Sequence, residues 1–257
     1  MNYKHLLSIS FIFIMSLQSY AQLKEVTYHD GKQELKGLSI KPSKKTANNP
    51  AILILPAWKG IDNHSKNVAN DLSKMGYIAF VADIYGTGNY PKTTEEAGKL
   101  SGHYKSNVLE YQNRILLALN ELIKSGANPD NIAIIGYCFG GTGVIEAARA
   151  NLKVKGVVSF HGGLNGPSIA ETSPIMPKLL ILHGADDPYV SEADIKACIA
   201  SLNARKADWQ MISYSDAVHA FSDPEAGSNK ASGAAYNALA AERSWDHMKL
   251  FLSGLLK

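Results

Sequence analysis

The chain has 257 residues, 46% hydrophobic and 19% charged, with a formal net charge of +3. That composition supplies one sizeable core. The charges are interspersed, without a long basic or acidic run, so nothing in the composition supports nucleic-acid binding, and no repeat or low-complexity tract appears.

Residues 1–21 read as a separate unit. Lys4 precedes an apolar run over 6–17, and Ser19-Tyr20-Ala21 forms a small-x-small site before Gln22. The run is apolar on every face and too short to span a bilayer, so a secretory signal peptide is expected, with a periplasmic or secreted product. No Cys follows the cleavage site, so no lipid anchor is expected. Export would permit a disulfide between the two cysteines, Cys138 and Cys198. Nothing in the sequence brings them together, and Cys198, inside the helical pattern "SEADIKACIASLNAR", is expected to face the core.

Beyond the leader, 23–28 and 35–40 predict a hairpin turned by Asp30-Gly31. A polar loop over 44–49 leads to "AILIL" (51–55), a buried strand. A helix is expected over 62–75, a strand over 77–82, and helix over most of 93–124 with interruptions near Gly98 and Gly102. Strands follow at 132–135, 154–160, 179–182 and 209–214. Helices are expected from the elbow to Asn151, over 191–203, and over 231–256 as one or two closing segments. Short apolar strands alternating with helices imply a single α/β domain over 22–257, with a mostly parallel sheet covered on both faces. Active-site groups should then collect at the strand ends.

One such end stands out. "IAIIGYCFGGTGVIEAA" (132–148) is a strand, a glycine-flanked knot and a helix, and Gly136-Tyr137-Cys138-Phe139-Gly140 has the G-x-S-x-G spacing of a nucleophile elbow with Cys in place of Ser. A helix N-terminus favours a thiolate there. Taken alone, the motif also fits an inert Cys in a Gly-rich turn. Downstream, "LLILHGADDPYV" (179–190) opens a strand into a loop with two acids, and "WQMISYSDAVHAF" (209–221) opens another into a loop with His219. Nucleophile, acid and histidine thus come in the order that elbow enzymes use.

With these pieces in place, the chain resembles the dienelactone hydrolase family of α/β-hydrolases. The likeness runs from "ILILPAWKGIDNHSKNVANDLSKMGYIAFVADIYG" through "GYCFGG" and "LHGADDPYV" to "AVHAFSDPEAG" and "AAYNALAAERSWDHMKLFLSGLL". It implies an α/β-hydrolase fold and a cofactor-independent ester or lactone hydrolase with an acyl-enzyme intermediate. Cys138 would be its nucleophile, Asp187 its acid and His219 its base. The spacing H-G-x-x-D-x-x-V selects Asp187 over Asp186. The oxyanion would be held by the backbone N–H groups of Phe139 and, in the loop after "AILIL", Trp58. Trp58, Tyr85 and Tyr189 are candidates to line the substrate pocket, although each equally suits ordinary packing.

Other residues have plainer readings. His161 and His183, at strand ends, suit loop-pinning better than catalysis, and His64, His103 and His247 read as solvated. No His pair stands at ligand spacing beside clustered acids, so neither a metal nor another cofactor is expected. "GTGNY" (86–90) lacks the third glycine of a dinucleotide fingerprint and reads as a turn over the site mouth. Two departures from the family bear on the substrate. Better-known members carry a Glu at the position of Ala57 and an Arg at the position of Asp223. An acid there is expected to disfavour carboxylate-bearing substrates. Thioester or amide hydrolysis on the same triad, or a non-catalytic binding protein of the same fold, are the rival readings.

Overall fold

The five residues of "AILIL" form β3 (Ala51–Leu55), and none of them is exposed. Their alternation divides the core. Leu53 and Leu55 join one apolar cluster, while Ile52 and Ile54 join another on the opposite side of the sheet. Such two-sided burial is what a strand in the middle of a covered parallel sheet requires.

The computed structural model describes residues 22–44, 46–166 and 172–256; the expected signal peptide lies outside them. The hairpin is β1 (Lys24–Asp30) and β2 (Gln33–Ile40), antiparallel to each other, with β2 antiparallel to β4 (Ile78–Val81). From β4 onward all pairings are parallel, through β3, β5 (Ile132–Tyr137), β6 (Gly156–Phe160), β7 (Lys178–Gly184) and β8 (Trp209–Tyr214). The eight-stranded order is β1-β2-β4-β3-β5-β6-β7-β8. Helices α1 (Asn63–Lys74) and α6 (Ala238–Leu255) cover one face with Val68, Leu72, Met248 and Leu252. The other face is covered by α2 (Thr94–Ser106), α3 (Val108–Lys124), α4 (Phe139–Arg149) and α5 (Glu192–Ala204).

Two expectations about helices need correction. The 93–124 stretch does not break at Gly98 or Gly102, both of which lie inside α2. It breaks at Asn107, whose backbone leaves the helical region and whose side-chain amide donates to the carbonyl of His103. A single Gly costs a helix only about 1 kcal/mol, which the Thr93 cap and the packing of Ala97 and Tyr104 outweigh. The closing helix begins at Ala238 rather than 231, since a short 3-10 turn (Lys230–Ser232) ends in a left-handed Gly233 before Asn237 caps α6.

Candidate active site

Four loops leave the carboxyl ends of β3, β5, β7 and β8 and converge. The β5–α4 connection is the tightest. Cys138 caps α4 with φ 54° and ψ −112°, a conformation a non-glycine residue rarely adopts, at a cost on the order of 1–3 kcal/mol. The glycines around it permit the close approach this demands. A Cβ on Gly136 would run into the backbone of Gly140, and one on Gly140 would lie 2.7 Å from the carbonyl oxygen of Pro56. The sulfur-bearing residue is thereby held half-buried at the positive end of a helix dipole.

The partners come from β7 and β8. Asp187 has a fully buried side chain, and its Oδ2 lies 2.8 Å from Nδ1 of His219. Its Oδ1 accepts the backbone N–H of Tyr189 at 2.9 Å, so both carboxylate oxygens are occupied and the orientation is fixed. Asp186 is exposed and takes no part. Burial opposes charge on His219, but hydrogen bonding to Asp187 and to Cys138 outweighs it, and the pKa is pushed up to about 10. The backbone of the histidine loop is itself pinned, with His219 N–H donating to Gly233 and Ala235 N–H donating back to His219.

Of the two expected oxyanion donors, Phe139 opens α4 directly after Cys138 and Trp58 lies in the loop after β3. Among the described residues, neither Trp58 N–H nor Phe139 N–H donates to another backbone group. Their loops are tied together, because Gly140 N–H donates to Pro56 O at 3.1 Å. Tyr85 braces the other side by donating its hydroxyl to Trp58 O at 2.7 Å. Tyr85 is only 2% exposed and stacks on Phe139, so it supports the Trp58 loop and offers a ligand very little surface. Its own loop is fastened by Asp83, a buried carboxylate that accepts from Tyr85 N, Gly86 N, Lys36 N and the Tyr90 hydroxyl. Tyr189 is 58% exposed and lies edge-on to His219, at the mouth of the site. Trp58 is half-buried against the α2 side of the core.

Other residues are placed differently from their sequence reading. Asp223 does not face the thiol. It caps the turn Pro224–Ala226 and points to His64, at 3.9 Å, inside a cleft of about 1380 Å³ between α1 and α6. Tyr137 and Phe160 contribute to the lining of that cleft. Substrate repulsion by Asp223 therefore loses its geometric basis. His64 is not solvated; its ring packs edge-on against Tyr137 at 4.6 Å. His247 likewise is engaged, with Nδ1 2.8 Å from the Tyr214 hydroxyl. Cys198 is buried, both thiols are free, and burial pushes the Cys198 pKa up. Among the described residues no three His, Cys, Asp or Glu side chains converge as a metal cage, and no helix is long and apolar enough to cross a membrane.

The sequence reading missed the buried supports. Asp83 was legible only as an acid closing the apolar run of β4, and its four donors come from β2 (Lys36) and from the loop of residues 85–90.

The sequence profile of the dienelactone hydrolase family matches residues 35–256. The chain belongs to the dienelactone hydrolase family. It is an ester or lactone hydrolase by that membership. It is similar to a dienelactone hydrolase-like promiscuous phosphotriesterase from metagenomic libraries, with 31% identity, a TM-score of 0.87, and coverage of 93% of this chain and 100% of that one. A putative carboxymethylenebutenolidase of Yersinia pestis is 25% identical over 91% of this chain and 89% of its own. A probable 2-oxo-3-(5-oxofuran-2-ylidene)propanoate lactonase of Bradyrhizobium sp is 24% identical over 80% and 84%.

Proposed function

We propose that this family member hydrolyses carboxylic esters or lactones by covalent catalysis, with Cys138 as nucleophile, His219 as base and Asp187 as its orienting acid. The observation that carries the reading is the relay from buried Asp187 through His219 to Cys138 on a strained elbow. His219 takes the thiol proton of Cys138 as base, and its raised pKa lets it hold that proton as imidazolium.

The sulfur attacks the acyl carbon, forming a C–S bond as the carbonyl electrons move onto oxygen. Trp58 N–H and Phe139 N–H receive that oxyanion, each donor contributing about 3 kcal/mol. Collapse breaks the ester C–O bond, and His219 passes its proton to the departing alkoxide. The thioester left on Cys138 is hydrolysed by water that His219 deprotonates, with the thiolate as leaving group. Thioesters suit the same machinery. The leader read in 1–21 adds export to the proposal, with a mature chain starting at Gln22, just ahead of β1.

Purified residues 22–257 should turn over 4-nitrophenyl acetate and a simple γ-lactone. A panel with a thioester, an amide and a phosphotriester ranks the leaving chemistry. Cys138→Ala should abolish turnover, and mass spectrometry of acid-quenched enzyme should find the acyl group on the Cys138 peptide. Turnover that survives Cys138→Ala and iodoacetamide would overturn the reading.

A further inference from the structure

His161 lies one residue beyond β6 and touches both halves of the relay. Its backbone is left-handed, φ 39°, like that of Cys138. Its Nδ1 accepts the backbone N–H of Cys138 at 3.1 Å, an N–H shared with Phe160 O at 3.0 Å. A backbone amide only donates, so Nδ1 carries no proton and the ring hydrogen sits on Nε2. Nε2–H then donates to Ser222 Oγ at 2.8 Å, three residues beyond His219. The ring packs edge-on against His219 at 5.2 Å and Phe221 at 5.1 Å. Burial first, then the nearness of His219 and His64, hold its pKa well below the usual histidine range. It is a neutral imidazole with a fixed tautomer and both nitrogens engaged.

We infer that His161 is a positioning residue: with Ser222 it forms a splint that sets the Cys138 elbow in register with the loop carrying His219. This inference rests on the thiol-hydrolase reading above. Cys138 is anchored through β5 and α4, whereas His219 is carried by β8, three strands away in the sheet order. The two loops start from different strands of the sheet. The His161 ring crosses that gap with a hydrogen bond at each end, and a displacement on the order of 1 Å between reacting groups costs up to about a hundredfold in rate.

Two readouts test it: kcat and KM for 4-nitrophenyl acetate, and the pH dependence of Cys138 alkylation by iodoacetamide, which needs no substrate. Ser222→Ala and His161→Phe should each lower kcat about ten- to a hundredfold, with KM changed by less than about threefold. Each should also move the alkylation midpoint toward that of an unassisted thiol. Ser222→Thr, which keeps the hydroxyl, should restore both. The double variant should be no worse than His161→Phe alone, because one cut disables the splint. Ser222 is half-buried in a loop, so the Ala and Thr variants decide the matter even where His161→Phe does not fold. A Ser222→Ala enzyme with kcat and alkylation midpoint unchanged would overturn the inference, as would multiplicative losses in the double variant. Variants that shift the alkylation midpoint, in a protein whose wild type turns over no ester, sink the esterase reading and leave the splint.

Discussion

Replacing Asp187 with Asn changes one atom, and the structure shows what that atom decides. Asp187 Oδ1 accepts the Tyr189 N–H at 2.9 Å, and Oδ2 meets His219 Nδ1 at 2.8 Å. An asparagine in this buried slot keeps its oxygen toward the Tyr189 N–H, because turning an NH2 there would set two donors against each other. Its NH2 is then left facing Nδ1. His219 must accept at Nδ1 and carry its proton on Nε2, the side that has to receive the thiol proton. The base is thus in the wrong tautomer, and the carboxylate that holds its charged form is gone. A loss of about four decades in kcat at neutral pH is expected, roughly 5.5 kcal/mol of transition-state stabilisation. The defect should shrink at alkaline pH, where a thiol with an ordinary pKa of about 8.5 ionises unaided. Steady-state kinetics on 4-nitrophenyl acetate from pH 6 to 10 would read this directly. Asp186→Asn, on an exposed carboxylate one residue away, should stay within about twofold of wild type. A less than tenfold loss in Asp187→Asn, or an equal loss in the two variants, would refute the tautomer argument.

Tyr85→Phe removes the hydrogen bond to Trp58 O, which should cost about 1 kcal/mol of stability and lower kcat about tenfold through a less well-aimed oxyanion donor; unchanged kcat with lowered stability would confine Tyr85 to packing. Gly140→Ala drives a Cβ against the carbonyls of Leu55 and Pro56 and should destabilise by more than about 4 kcal/mol, read as loss of soluble protein or a collapsed Tm. Asp223→Asn should leave the ratio of kcat/KM for an ester and its carboxylate-bearing analogue unchanged, since Asp223 faces His64; a selective gain for the anion would return Asp223 to the substrate path. His219 has its pKa raised from 6.5 to about 10, so its charged form stabilises the fold fully below pH 6.5, and that stabilisation is lost as pH rises through about 10. The Tm of wild type should therefore fall more between pH 6 and 10 than that of His219→Gln; parallel curves would show that the raised pKa does not contribute to stability.

What could be read from the sequence was whatever is encoded by local pattern. The all-apolar run of β3, the 2.0-residue alternation that sends Leu53 and Ile54 to opposite clusters, and the glycines of the elbow are properties of a few adjacent residues. The chain order of Cys138, Asp187 and His219 added a long-range constraint because each lies at the end of a recognisable strand. The helix break at Asn107 escaped, since glycine composition points to Gly98 and Gly102 and the tertiary packing of α2 overrides it. Asp223 was misplaced for a different reason. Its number relative to His219 matches a family position, but the backbone between them turns at Ala220, φ 57°, and the side chain emerges toward α1.

The supports around the site share one property that hid them. Tyr85 to Trp58, Asp83 to Lys36, and His161 to Ser222 join residues 27, 47 and 61 positions apart. No periodicity records such pairings, and each participant taken singly suits packing as well as function. They matter because strained and converging backbone must be over-determined to persist. The elbow holds Cys138 at φ 54° only while its glycines, the Pro56 carbonyl and the shared N–H of Cys138 all agree. On the proposed reading, Cys138, Asp187 and His219 set which chemistry is available, whereas these buried bonds decide how closely sulfur, imidazole and the Trp58 and Phe139 N–H groups meet. Variants in the second group should therefore change kcat while leaving the kind of ester accepted unchanged, and residues at the mouth such as Tyr189 should do the reverse.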